Sequence, residues 1–135
     1  MRAFVTGATG FGGQHLVCHL CNRGYRVYGT YLNSKPRAMP ARIKLFQCDV
    51  RDPKRLRALM QRVQPGRIYH LAAESSVRKS FADVQTVFET NFWGTFNVLE
   101  AVRLIRPNGR ALVVTSSHCY GAVPPSQLPA SNDGN

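Results

Sequence analysis

Residues 1–13, MRAFVTGATGFGG, place a short apolar strand before a glycine-rich turn with Gly7, Gly10 and Gly13 at three-residue spacing, and run directly into a helix-like stretch. Gly7 suits the tight turn out of the strand. Gly10 lets the backbone approach a ligand with no Cβ in the way, and Gly13 lets the helix pack closely on the sheet. Thr9, Phe11 and Gly12 complete the turn. A helix that starts here aims its first amides and the positive end of its dipole at an anion, and the diphosphate of a dinucleotide is the anion this arrangement suits. A glycine-rich turn that binds nothing is the alternative, so the strand-turn-helix context and the segments downstream must decide between the two.

Outward from that turn, apolar runs alternate with helix-period segments, the pattern of a parallel sheet covered by helices on both faces. Strands are expected at Ala3–Thr6, Arg26–Tyr31, Lys44–Cys48, Arg67–Ala72 and Ala111–Thr115. The last is almost wholly apolar, as in a central strand. A first helix, from about Gly12 to Arg23, turns Leu16, Val17 and Leu20 to one side and stops at Gly24. Asp52 as N-cap and Pro53 at the first helical position begin a second, reaching Val63 with Leu56, Leu59, Met60 and Val63 inward. The longest helix spans about Ala82 to Ile105, with Val84, Val87, Phe88, Val98, Leu99 and Val102 at helical spacing. Right-handed crossovers then give strand order 3-2-1-4-5, a three-layer αβα, doubly wound α/β sheet of Rossmann type. Residues 1–121 form this dinucleotide-binding unit. Residues 122–135, rich in Pro, Ser, Ala and Asn, read as a loop leading toward a catalytic and substrate-binding region, so the architecture is expected to be C-terminally truncated.

The 135 residues are 44% hydrophobic, enough for one core, and carry a formal net charge of +11. The basic residues are scattered, with no aromatic-arginine interleaving, so they read as a solvated surface, or as one that helps attract an anionic nucleotide, rather than as a nucleic-acid interface. No apolar run approaches the roughly 18 residues of a membrane-spanning helix, which excludes a membrane partner and leaves the cytoplasm as the expected location. Cys18 and Cys21 have CxxC spacing but fall inside a helix, and no second ligand pair accompanies them. Reduced thiols and no metal are expected.

Further segments join the glycines: Asp49-Val50 after the third strand, His70-Leu71-Ala72-Ala73 on the fourth, Asn91 in the long helix, and Ser116-Ser117-His118-Cys119-Tyr120-Gly121 after the fifth. In this order, with HLAAESSV and ETNFWGTFNVLEAV, they resemble the extended short-chain dehydrogenase/reductase family. Within it they look most like the nucleotide-sugar 4,6-dehydratases, reductases and epimerases, GDP-mannose 4,6-dehydratase and GDP-4-keto-6-deoxymannose reductase being nearest. The resemblance implies that Asp49 accepts a hydrogen bond from the adenine amino group while the Val50 backbone borders the ring. Asp49 also reads as an acid at a helix's first turn. Leu71, Ala72 and Ala73 border the cofactor, the alanines keeping the strand end slim, although tight packing alone also selects alanine. Asn91 supports the active-site hydrogen-bond network, or is a core amide satisfied by its neighbours. The resemblance further implies that Ser116 hydrogen-bonds the reacting sugar oxygen, although a Ser there can instead cap the strand end through backbone bonds.

Dehydratases of this group carry a carboxylate two residues before the motif's Tyr, where this chain has His118. Imidazole can serve as a base near neutral pH, so His118 is a catalytic candidate, and reductase or epimerase chemistry stays open. Tyr31, Leu32 and Asn33 supply no acid to bind the adenosine ribose hydroxyls, and Lys35 and Arg37 suit a 2′-phosphate, which favours NADP over NAD. The family's Tyr and Lys proton-transfer pair is missing from the expected place. Tyr31 and Lys35 match its YxxxK spacing but lie at the adenosine end. The resemblance implies a nucleotide-sugar substrate, a GDP-sugar foremost, and a homodimer through the long helix around Phe88 and Leu99. Lacking the pair, the chain is expected not to turn over alone. A non-catalytic NAD(P)-binding sensor is the alternative function.

Overall fold

The computed structural model describes residues 1–33, 39–40, 42–76, 81–106, 108–116 and 121. The chain runs β1 (Arg2–Thr6), α1 (Phe11–Asn22), β2 (Arg26–Tyr31), β3 (Ile43–Gln47), α2 (Pro53–Val63), β4 (Arg67–His70), α3 (Val84–Phe88), a π-turn (Glu89–Trp93), α4 (Gly94–Ile105) and β5 (Arg110–Val113). All strand pairs are parallel, in the order β3-β2-β1-β4-β5. That is the doubly wound topology the sequence predicts.

Alternation along β1 builds two cores. Ala3 and Val5 face α1 and pack with Val17, Leu20 and Val27, whereas Phe4 faces the other way, into Leu56, Met60, Ile68, Val98 and Val102. Asp52 caps α2 by accepting a hydrogen bond from the Arg55 amide at 3.0 Å, with Pro53 at the first position. Leu56, Met60 and Val63 are buried as expected, and Leu59 packs against them. Gly24, at φ +79°, turns the chain out of α1.

One expectation needs correction. The long helix is interrupted by the π-turn, and only its second half reaches the core. Val98, Ala101 and Val102 are buried, whereas Val84, Phe88 and Leu99 are exposed. The apolar spacing of the first half therefore faces outward. β5 pairs with β4, the place the expected strand order gives it, and its Leu112 and the following Val114 are exposed. No helix among the described residues is long and apolar enough to cross a membrane.

Candidate functional site

The glycine turn lies at the carboxyl end of β1, where open parallel sheets gather ligands. Gly7 sits at φ +66°, and a Cβ there would meet the Ala72 amide nitrogen at 2.8 Å. At Gly13 a Cβ would drive into the Gly7 carbonyl oxygen. These two glycines are demanded by the protein's own backbone. Gly10 and Gly12 are different: a Cβ at Gly10 would meet nothing nearer than the Gly7 carbonyl at 3.4 Å, and one at Gly12 only the Leu71 side chain at 3.7 Å. Both are exposed, as is Phe11.

Gly10 is also the N-cap of α1. No side chain caps this end, and no acidic residue stands in the first turn. The Gly10 amide bonds the Gly7 carbonyl at 3.1 Å, the Ala8 amide ties the turn to the end of β2 through the Thr30 carbonyl at 3.0 Å, and Gln14 holds the Thr9 carbonyl at 2.8 Å. The turn is thus braced from inside while its helix amides face outward, the geometry that receives a phosphate.

Around it stand the residues picked from the sequence. Leu71 and Ala72 follow β4, their amides bonded to the Thr6 carbonyl and hydroxyl, each at 3.3 Å. Ala73 is exposed beside them. Asp49 follows β3, and both its oxygens take hydrogen bonds from the Arg51 guanidinium, one at 2.7 Å. The Arg51 backbone amide also donates to Oδ1 at 2.9 Å, and these bonds hold the carboxyl below the usual range, so Asp49 is an anion at neutral pH. Val50 is buried against Gly94, and its carbonyl accepts from the Asn97 side chain at 3.0 Å. Ser116 is exposed beyond β5. Lys35, Arg37, His118 and Tyr120 lie outside the described residues. Tyr31 ends β2, half-buried, its carbonyl accepting from the Cys48 amide.

Asn91 occupies the middle of the π-turn rather than a buried α-helical position. Its side chain accepts from the Glu74 amide at 2.8 Å and donates to the Glu74 carbonyl at 3.0 Å, clamping the segment after β4. π-Turns within α-helices concentrate at functional sites, and this one carries the clamp.

Sequence reasoning missed the group beneath the clamp. His70 is buried at the end of β4, in register with Thr6. The Thr95 hydroxyl donates to the Asn91 carbonyl at 2.6 Å, so His70 Nε2, 3.0 Å away, donates to Thr95 Oγ1. Nδ1 then accepts from the Thr6 hydroxyl at 2.6 Å, which in turn accepts from the Ala72 amide. Burial pushes His70 down to about 4, so the ring is neutral at physiological pH. One neutral imidazole thereby joins the ends of β1 and β4 to the π-turn. The signal available in sequence is that β1 and β4, otherwise apolar at their inward positions, both end in polar residues that the topology places side by side.

The family model for GDP-mannose 4,6 dehydratase matches residues 4–133. A GDP-mannose 4,6-dehydratase of Yersinia enterocolitica is 29% identical over 90% of this chain and 37% of its own length. A UDP-glucose 4-epimerase of Thermus thermophilus, solved with NAD, is 34% identical with a TM-score of 0.73, covering 78% of this chain and 34% of that one. The Brucella ovis UDP-glucose 4-epimerase, also with NAD, gives 27% identity and a TM-score of 0.80, covering 90% and 37%. The chain spans little more than a third of the length of the curated relatives it matches.

Proposed function

Since the chain belongs to the GDP-mannose 4,6 dehydratase family, we propose that residues 1–121 form the nicotinamide-dinucleotide-binding part of an enzyme that converts a nucleotide sugar. Gly10 carries this reading. Its φ of −71° suits any residue and its packing leaves ordinary space for a Cβ, so nothing inside the protein calls for glycine there. A ligand lying against the backbone does. The uncapped end of α1 beside it fits the diphosphate, and the braced segment 71–74 fits the adjoining ribose and phosphates.

When bound, the nicotinamide supplies hydride exchange with a sugar carbon. The chain's own residues take the remaining roles. Phe11, Gly12 and Gly13 offer amides to the diphosphate beside the slim Gly10, Asp49 accepts from the adenine amino group, and Ser116 donates a hydrogen bond to the reacting oxygen of the sugar. His118 is the candidate base. Lys35 and Arg37, with no acid at Tyr31, Leu32 or Asn33, favour NADP over NAD. A GDP-sugar is the favoured substrate, on the family match. The exposed aromatics Phe88, Phe92, Trp93 and Phe96, in mutual ring contact, support a homodimer through the long helix.

Calorimetric titration with NADP and NAD tests the reading, with Gly10→Val as the blocked control. Binding in the micromolar range that the valine abolishes supports it. Equal binding by both proteins contradicts it.

A further inference from the structure

The opposite end of the sheet repeats one residue. Arg2, Arg26, Arg67 and Arg110 open β1, β2, β4 and β5, and Arg42 immediately precedes β3. Arg2 pairs in register with Arg26 and Arg67 with Arg110, while Val27 opposite Ile43 brings Arg26 and Arg42 to neighbouring positions. Because all strands are parallel, this is one edge of the molecule. The carboxylates Asp49, Asp52 and Glu74 instead follow the carboxyl ends of β3 and β4. Five arginines thus gather at the edge of the sheet opposite the glycine turn.

Two of these arginines serve the backbone: Arg2 donates to the Val63 carbonyl at the end of α2, at 2.9 Å, and Arg67 to the Gly66 carbonyl at 3.1 Å. Arg26, Arg42 and Lys44 have no carboxylate partner among the described residues. They line a cleft of about 510 Å³ together with Tyr25 and Tyr28, Tyr28 lying directly opposite Lys44 in the β2–β3 register. The Tyr28 ring is stacked on Phe46, which steadies that wall.

We infer that this cleft is a second anion site, for a small molecule carrying two or more linked phosphoryl groups. Three cations on two strands about 4.8 Å apart carry more positive charge than one monoanion offsets, and guanidinium forks match phosphoryl oxygens. The cleft has the volume of a small-molecule pocket, and the phenols add donors at its wall. A nucleic-acid strand would need basic and stacking groups continued beyond β2 and β3, whereas Arg2 and Arg67 already hold carbonyls. The site is independent of the dinucleotide reading, since it shares no residue with the glycine turn.

Titration of the 135-residue chain with inorganic pyrophosphate, monitored by amide NMR shifts, tests the inference. The expected result is one site centred on residues 24–28 and 42–44, weakened at least tenfold in the double variant Arg26→Gln/Arg42→Gln. That affinity should be unchanged in Gly10→Val, which separates its failure from failure of the dinucleotide site. If the double variant does not fold, Lys44→Gln replaces it, with a loss of at least threefold expected. Pyrophosphate shifts confined to residues 7–13, or affinity unaffected by the Arg or Lys substitutions, would overturn the inference. So would tighter binding of single-stranded DNA than of pyrophosphate, which would assign the edge to nucleic acid.

Discussion

Helices α1 and α2 start in the same setting, just past a strand at the same edge of one sheet, yet their first turns are finished in opposite ways. At α2 the protein completes its own chemistry: Asp52 caps the Arg55 amide and Pro53 occupies a position whose amide has no intrahelical partner. At α1 the cap is Gly10, with no side chain to offer and no acid in the first turn. The first arrangement stabilises a helix. The second leaves donors for something from outside, and the loop beneath it is braced by bonds from Ala8, Gln14, Leu71 and Ala72 so that the donors stay in place.

The contrast predicts a double dissociation. Gly10→Val should lower dinucleotide affinity by at least about 100-fold, close to 3 kcal/mol, while changing folding stability by less than about 1 kcal/mol. Calorimetry and denaturant titration on one preparation check both, and a destabilised protein would mean that Gly10 serves packing after all.

Next in size is an effect of acid on the brace beneath α1. His70 is buried and held down to about 4, against 6.5 for a free imidazole. As pH falls below about 6.5 the unfolded chain takes up the proton while the folded chain does not, so stability declines until about pH 4 and then levels off. That pKa difference corresponds to about 3 kcal/mol in full, of which about half is lost by pH 5.3. Urea titrations across this range should show the decline, and His70→Gln should flatten it. Hydrogen exchange should loosen residues 70–74 before α2.

A smaller effect is expected from the other helix. Asp52→Ala should cost about 1 kcal/mol of stability and leave cofactor affinity alone. Loss of affinity in that variant would erase the distinction between the two helix starts. Smallest is Gly12→Ala: its Cβ meets only the Leu71 side chain at ordinary contact distance, so stability should move by less than about 0.5 kcal/mol.

Away from this comparison, Phe92→Asp should shift any dimer toward monomer by analytical ultracentrifugation, since Phe92 lies in the exposed aromatic ladder.

Much of the fold was legible because its signals are local. Glycines at a strand end, Asp52-Pro53 before an apolar stripe and Gly24 after one each act within a few residues, and the expected strand order came from the alternation of strands and helices. The long helix misled because its first half keeps apolar residues at helical spacing, although Phe88 and its neighbours face outward. Spacing reports which residues share a face, not what covers it. In the candidate site the glycines could be read individually, whereas the His70 relay could not. Thr6, His70 and Thr95 are far apart in the chain and meet only once β1, β4 and α4 are assembled.

A dinucleotide seated across the first turn of α1 is the central claim, and amide NMR during NADP titration examines that placement directly. Saturable shifts centred on Gly7, Gly10, Phe11, Gly12 and Gly13, with the α2 start unmoved, are the predicted result. A folded chain whose glycine-turn amides stay still at millimolar NADP and NAD would contradict it.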